Sequence, residues 1–160
     1  MAKLDAPKIV TAHLGTPESW TLRTYLDNGG YQGLRKALQM GREWVQQEVD
    51  KANIAGRGGA GFPAGRKWSM LRKAEPVYLV VNGDESEPAT FKDHMLMEGD
   101  PHQIIEGALI TAFAIGADRA DIRLSDRQLA EKIVGEPAFQ EGGRFSKERY
   151  EAIARANGVT

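Results

Sequence analysis

Cysteine is missing from all 160 residues. Without thiolates the chain forms no disulfide, holds no zinc through sulfur and binds no iron–sulfur cluster of its own. Histidine is nearly as scarce, with three. Neither His94 nor His102 has a second histidine at metal-ligating spacing. Both read as surface or helix-start residues, and no metal site is expected. Long hydrophobic runs are lacking too. The longest, "IIEGALITAFAIGA", is too short to span a bilayer and carries Glu106 within it. The opening "MAKLDAPKIV" has no apolar region of the kind a secretory signal needs. A net charge of −1 gives no overall attraction to nucleic acid or to an anionic membrane. Neither internal repeats nor low-complexity tracts occur. These absences leave the expectation of a soluble, cytoplasmic protein with no nucleic-acid partner and no direct membrane insertion.

What is present is a globular composition, 41% apolar and 27% charged, at a length that suits one domain able to bury a core. Residues 1–30 are mixed, punctuated by Pro7, Pro17 and Gly29–Gly30, and predict an irregular lead-in. "YQGLRKALQM" places Leu34, Ala37 and Leu38 on one face of an amphipathic helix. Gly41 interrupts it, and "REWVQQEVDKA" reads as a second helix with Trp44, Val45 and Val49 together. A glycine loop starts at Gly56. "KWSMLRKA" predicts a short helix leaving that loop, stopped by Pro76. "VYLVV" at 77–81 is β-branched and aromatic without charge, which predicts a strand buried on both faces, as in a parallel sheet. Asp100 and Pro101 are an N-cap and an N1 proline. They open the clearest helix, "HQIIEGALITAFAIG", with Ile104, Ile105, Ala108, Leu109, Ala112 and Phe113 as its buried stripe and Gly116 as its stop. "ADIRLS" reads as the next parallel strand, completing a β–α–β unit over roughly 77–125. Beyond it, "SDRQLAEKIV" predicts a helix and "GEPAFQEGGRF" a loop. "SKERYEAIARANG" predicts a last helix, with Ser146 as N-cap and Gly158 after its end. The fold class is α/β.

Chemistry concentrates in two stretches. The first is "GRGGAGFPAGRKW", Gly56 to Trp68, with five glycines, two arginines and one lysine. It contains G-x-G-x-x-G at Gly56, Gly58 and Gly61. A dinucleotide fingerprint needs a strand before its first glycine. Here "QQEVDKANIA" precedes it and is helical in pattern. A Walker A loop fails on spacing, since Lys67 follows Arg66 and precedes Trp68. A surface linker is the plain alternative. Against it stand Arg57, Phe62, Lys67 and Trp68, which are costly to leave together in solvent. Glycines let backbone N–H groups approach a phosphate or a flat ring. Arg57 and Lys67 add positive charge, and Phe62 adds a stacking face. The second stretch is "NGDESEP", Asn82 to Pro88, at the carboxyl end of the predicted strand, where open α/β sheets bind ligands. Asp84, Glu85 and Glu87 crowd three carboxylates into four positions. That is unfavourable unless hydroxyls, cations or N–H groups satisfy them. Ribose or ribityl hydroxyls, a Mg²⁺ ion and a plain solvated turn all fit. Lys92–Asp93 reads as a local ion pair worth little.

Three stretches in order, "GRGGAGFPAGRKWSM", "YLVVNGDESEPATFKDHMLM" and "DPHQIIEGALITAFAIGADRA", resemble the NADH-binding flavoprotein subunit of respiratory complex I. In bacteria this is the F-type chain of NADH-quinone oxidoreductase, and related chains occur in NAD-linked formate dehydrogenases and hydrogenases. The resemblance runs from about Ser19 to Ala120 and includes "SWTLRTYLDNGGYQGLRKAL". It implies a partial Rossmann-like FMN-binding and NADH-binding domain over 56–160, behind a helical lead-in over 1–55. It also implies hydride transfer from NADH to FMN N5, followed by single-electron transfer to an iron–sulfur cluster. Carried over residue by residue, it puts Gly56, Arg57 and Gly58 against FMN, with Lys67 near it. Asn82, Asp84 and Glu85 would bond the ribityl chain or ring edge. Gly59, Ala60 and Phe62 would meet NADH, with Phe62 on the adenine, and Glu87 would contact the dinucleotide's hydroxyls or amide. No residue is implied as a general acid or base, because the flavin carries the chemistry. The implied partners are other peripheral-arm subunits of complex I or a related NAD-linked dehydrogenase, notably the 24 kDa-type partner. The implied location is peripheral to the inner face of the plasma membrane, through that complex.

Several positions depart from the family pattern. Met70 stands where the family has an aromatic that grips adenine, Ala89 where it has glycine, and Gly83 where it has alanine. "ADIRL" runs on into "SDRQ" where the family has "RGE". The family chain is far longer and adds a ubiquitin-like domain and a helical bundle whose cysteines hold a 4Fe-4S cluster. Both domains, and the cluster, are expected to be absent here. The expectation is a truncated or split subunit, active only with its missing parts. The alternative is a non-catalytic nucleotide-binding or assembly module, a diverged relative without redox activity.

Overall fold

A computed structural model describes residues 7–57, 59–71, 75–85, 88–123 and 144–146, with 123 and 144–146 described by backbone alone. The centre is one β–α–β unit. Strand β1 (Tyr78–Asn82) leads through α5 (Lys92–Gly99) and α6 (Pro101–Ile115) to β2 (Arg119–Arg123). The two strands pair in parallel, with Tyr78 opposite Arg119 and Asn82 opposite Arg123. Asp118 ties their starts together, its carboxylate accepting from the Val77 N–H at 2.8 Å while its own N–H donates to the Val77 carbonyl at 2.8 Å.

Helix α6 forms where its caps and stripe require. The Asp100 carboxylate accepts from the Gln103 N–H at 3.2 Å, Pro101 occupies the first turn, and Gly116 ends the helix at a φ of 71°. Ile105, Ala108, Leu109 and Ala112 are buried, and Ile104 and Phe113 are half-buried beside them. Leu34, Met97, Ala117 and Ala120 close the same core. On its other side α6 meets α2 (Gln32–Met40) and α3 (Arg42–Ala52), where Ala37, Val45 and Ala114 form a smaller cluster with Trp68 against it.

Three expectations are corrected. Strand β1 is not buried on both faces: Leu79 and Val81 turn towards α6, while Tyr78 and Val80 are 59% and 56% exposed. The cause is that α6 packs on this sheet from the side of Leu79 and Ala120, with Leu34 and Met97 in the same core. The lead-in is not wholly irregular. It contains α1 (Leu22–Asp27), started by Thr21, whose hydroxyl accepts from the Thr24 N–H at 3.3 Å. His102 sits at a helix start, as expected, where it is buried and stacked 5.7 Å from Tyr25. Finally, Arg144–Ser146 form β3, antiparallel to β2, so Arg144 and Phe145 do not close a loop and Ser146 is a strand residue. The ladder on β2 supplies partners that a loop would leave to water. The expected helices at 125–134 and 147–158 lie outside the described residues.

Glu106, the one charge in the apolar stretch of α6, is 8% exposed. Its carboxylate accepts from the backbone N–H groups of Tyr31 and Leu34, each at 2.8 Å, and from the Tyr25 hydroxyl. Tyr31 is the N-cap of α2, lies in the left-handed region at φ 60°, and offers no cap of its own. The carboxylate therefore caps α2 from a different helix, placing negative charge where the helix dipole favours it. Burial, and then the Glu106 carboxylate, push the hydroxyls of Tyr25 and Tyr31 well above their usual range, so both stay protonated as donors. The Tyr31 hydroxyl and His102 Nδ1 share a hydrogen bond of 3.0 Å. Glu106→Ala strands three donors in the interior, at about 1–3 kcal/mol each. We predict a loss of about 3 kcal/mol or more in urea unfolding. A loss below about 1 kcal/mol would show that these donors find other partners.

Candidate cofactor site

The glycine stretch is a closed loop with a tight neck. Ala55 and Pro63 form an antiparallel bridge. The Gly56 N–H donates to the Phe62 carbonyl and the Ala64 N–H to the Ile54 carbonyl, each at 2.8 Å. Helix α4 (Ala64–Ser69) starts directly after this neck, three residues before the expected "KWSMLRKA" helix, and it has ended by Met70. The early start depends on Gly65. Its backbone lies so close to α3 that an added Cβ would sit 2.5 Å from the Asp50 Cα. Backbone cannot move aside as a side-chain tip can, so this packing holds α4, and with it the loop, against α3. Trp68 locks the far side of α4 into the α2–α3–α6 cluster. A slack linker has none of these ties.

Within the loop, Gly59 and Gly61 have φ of 105° and 61°, where a side chain is strained. Nothing lies within 4 Å of where a Cβ would stand on either. The loop therefore turns bare backbone towards open space. Ala60 is exposed, as are the cations Arg57 and Lys67, and Phe62 is 43% exposed. A surface of open amides, two cations and one ring fits a flat, phosphate-bearing group. Gly58 lies outside the described residues.

The strand end is organised separately. Asn82 closes a small turn, its Oδ1 accepting from the Asp84 N–H at 3.0 Å, and both residues are exposed. The Glu85 carboxylate accepts from the N–H groups of Asp93 at 2.9 Å and His94 at 3.1 Å, at the start of α5. Desolvation pushes its pKa up, but those N–H bonds and the Lys92 charge outweigh it, and the net position is below the ordinary glutamate range. This contribution is present above the ordinary glutamate pKa and lost as pH falls through the lowered folded value. Lys92 and Asp93 form the expected exposed ion pair, and His94 Nε2 lies 3.5 Å from Glu98. Glu87 lies outside the described residues. Among the described residues, no cluster of three or more His, Asp or Glu is arranged to hold a metal.

Among the described residues, two cavities border these stretches, one on the α5 side at His94 and Glu98 and one at Gly65 and Arg66. One, about 630 Å³, is an apolar groove between Leu14–Trp20 and the Phe91 and Met95 side of α5. The other, about 440 Å³, is a polar cleft between α3 and α4 around Glu43, Asp50 and Arg66. The neck of the glycine loop is closed by its own backbone hydrogen bonds, whereas Glu85 at the strand end bonds to α5.

Residues 49–142 match the family described as the Nuo51 FMN-binding domain. The chain belongs to that family. The F subunit of the NADH-quinone oxidoreductase of Aquifex aeolicus (strain VF5) is 44% identical over 126 residues, 78% of this chain and 30% of that protein. The F subunit numbered 2 in the same enzyme of Rhizobium meliloti (strain 1021) is 48% identical over 115 residues, 70% of this chain and 27% of that protein. The chain thus spans less than a third of the length of these relatives. Among solved structures, an NAD+-reducing NiFe hydrogenase in its H2-reduced state superposes with a TM-score of 0.60 at 32% identity, covering 92% of this chain and 23% of that one. The α/β fold class agrees with these likenesses. No described helix is long and apolar enough to cross a membrane.

Between β1 and α5 one alanine holds an unusual backbone conformation. Ala89 lies at φ 63°, in the left-handed region. An L side chain there costs roughly 1–2 kcal/mol, and glycine removes that cost. Glycine also gives back about 0.4–1 kcal/mol through the freer unfolded chain. Ala89→Gly should therefore leave a net gain of up to about 1 kcal/mol, read as a higher urea midpoint. A lower midpoint would mean that the methyl group makes a contact worth more than the strain.

Proposed function

We propose that this chain contributes the front of a flavin site in an NADH:quinone oxidoreductase or a related NAD-linked dehydrogenase, where it binds FMN and NADH. The observation that carries the reading is the glycine loop: clamped at its neck, open above Gly59 and Gly61, and set in a chain of an FMN-binding family. Bound FMN supplies a ring that accepts a hydride from NADH and releases electrons singly.

The chain's own residues bind and orient. The backbone at Gly56 and Gly58 would lie against the flavin, with Arg57 and Lys67 supplying charge-assisted hydrogen bonds to it. Asn82 and Asp84 offer acceptors to the ribityl hydroxyls or ring edge. Gly59 and Ala60 leave a surface bare enough for the dinucleotide, Phe62 stacks on its adenine, and Glu87 takes its hydroxyls or amide. No side chain has to move a proton. The contribution is to hold two rings in stacked contact, which replaces a bimolecular encounter with a fixed geometry. Other chains of the same assembly, the 24 kDa-type partner among them, take the electrons onward, and the assembly holds the chain at the inner face of the membrane.

Lys67→Ala and Asp84→Ala each remove a charged hydrogen-bonding group. We predict FMN binding weaker by roughly 1.5–3 kcal/mol in each, about 10- to 150-fold in Kd, by fluorescence titration. Both residues are exposed, so the fold should be unaffected. Unchanged flavin affinity in both variants would sink the site assignment.

A further inference from the structure

The resemblance groups Glu85 with the flavin contacts, but the structure commits both of its carboxylate oxygens to α5. One accepts from the Asp93 N–H and the other from the His94 N–H. Helix α5 needs them, because its own N-cap position is Phe91, whose side chain makes no capping hydrogen bond. Phe91 is 71% exposed and contributes nothing in place of a cap. Glu85 also follows directly on the small turn in which Asn82 Oδ1 holds the Asp84 N–H. One residue thus joins the end of β1 to the start of α5. We propose that Glu85 is a positioning residue: by capping α5 it fixes the turn that presents Asn82 and Asp84, and it does not itself touch the cofactor. This rests on the proposed flavin site for its consequence, but the capping and the turn are properties of the chain alone. The lowered pKa of Glu85 agrees with a carboxylate held by helix N–H groups.

A cap supplied from elsewhere separates the helix start from its tie to the turn. Phe91→Ser puts a neutral hydroxyl at the N-cap position, where serine is a favoured residue. In the full chain without flavin, Glu85→Ala should speed amide exchange at Asp93, His94 and Asp84 by about fivefold, the scale of a lost N-cap. Adding Phe91→Ser should return Asp93 and His94 close to the wild-type rate but leave Asp84 fast, because serine caps the helix without tying it to the turn. With FMN present, Glu85→Ala should weaken binding by no more than the change at the Asp84 amide. An Asp84 amide that ignores Glu85→Ala overturns the inference. So does a loss of FMN affinity about tenfold or more beyond that change, since loosening the turn cannot account for it and direct contact can. A wild-type chain that takes no FMN overturns the flavin-site reading instead, and the Asp84 amide then decides the positioning role by itself.

Discussion

The carboxylate of Glu106 is the tie on which the packing of the helical layer depends. It stands in the middle of the apolar helix α6, and taking it out of water costs several kcal/mol. Two backbone N–H groups at the start of α2 and the hydroxyl of Tyr25 offset that cost. None of those donors has an equivalent partner within its own element, since the N-cap of α2 makes no side-chain hydrogen bond. The charge and the donors therefore satisfy each other only when α2 sits on α6. Hydrophobic burial at Leu34, Ile105 and Leu109 brings these helices together, but it is non-directional. The buried carboxylate adds the direction.

From that tie the two halves of the candidate site follow by contact. Through Ala37, Val45 and Ala114, α2 and α6 hold α3. Against α3, the bare backbone of Gly65 seats α4, and α4 together with the Ala55–Pro63 bridge clamps the neck of the glycine loop. On the other side, α6 packs under β1 and beside α5, and Glu85 links the end of the strand to that helix. The loop and the strand end are thus borne by the same central helix through separate chains of contacts. This suits a site that must hold one rigid, planar group between a cradle of amides and a set of acceptors.

The sequence made much of this visible, for identifiable reasons. Helix α6 was legible because Asp100, Pro101 and Gly116 punctuate a regular apolar stripe, and α3 and the parallel pairing of β1 with β2 were legible from period and order. Less visible were the features that depend on residues far apart in the chain. Glu106 looked only like a charge spoiling a hydrophobic run, because its donors lie more than 70 residues away. The capping by Glu85 was hidden because Phe91, at the cap position, gives no signal that a carboxylate must come from outside the helix. The exposed face of β1 escaped because an uncharged β-branched run reads the same whether one face or both are covered. The candidate site residues owe their roles to the family resemblance. Spacing alone leaves the glycine loop open between a linker and a cradle; the neck hydrogen bonds and the close approach at Gly65 count against a slack linker.

The most direct measurement is the flavin stoichiometry of the purified 160-residue chain after incubation with excess FMN and removal of free ligand. The visible absorbance of bound flavin against protein concentration gives the ratio. A ratio near one FMN per chain, with flavin fluorescence altered on binding, is what the proposed flavin site predicts. A colourless protein that returns all of its FMN to the wash would contradict it.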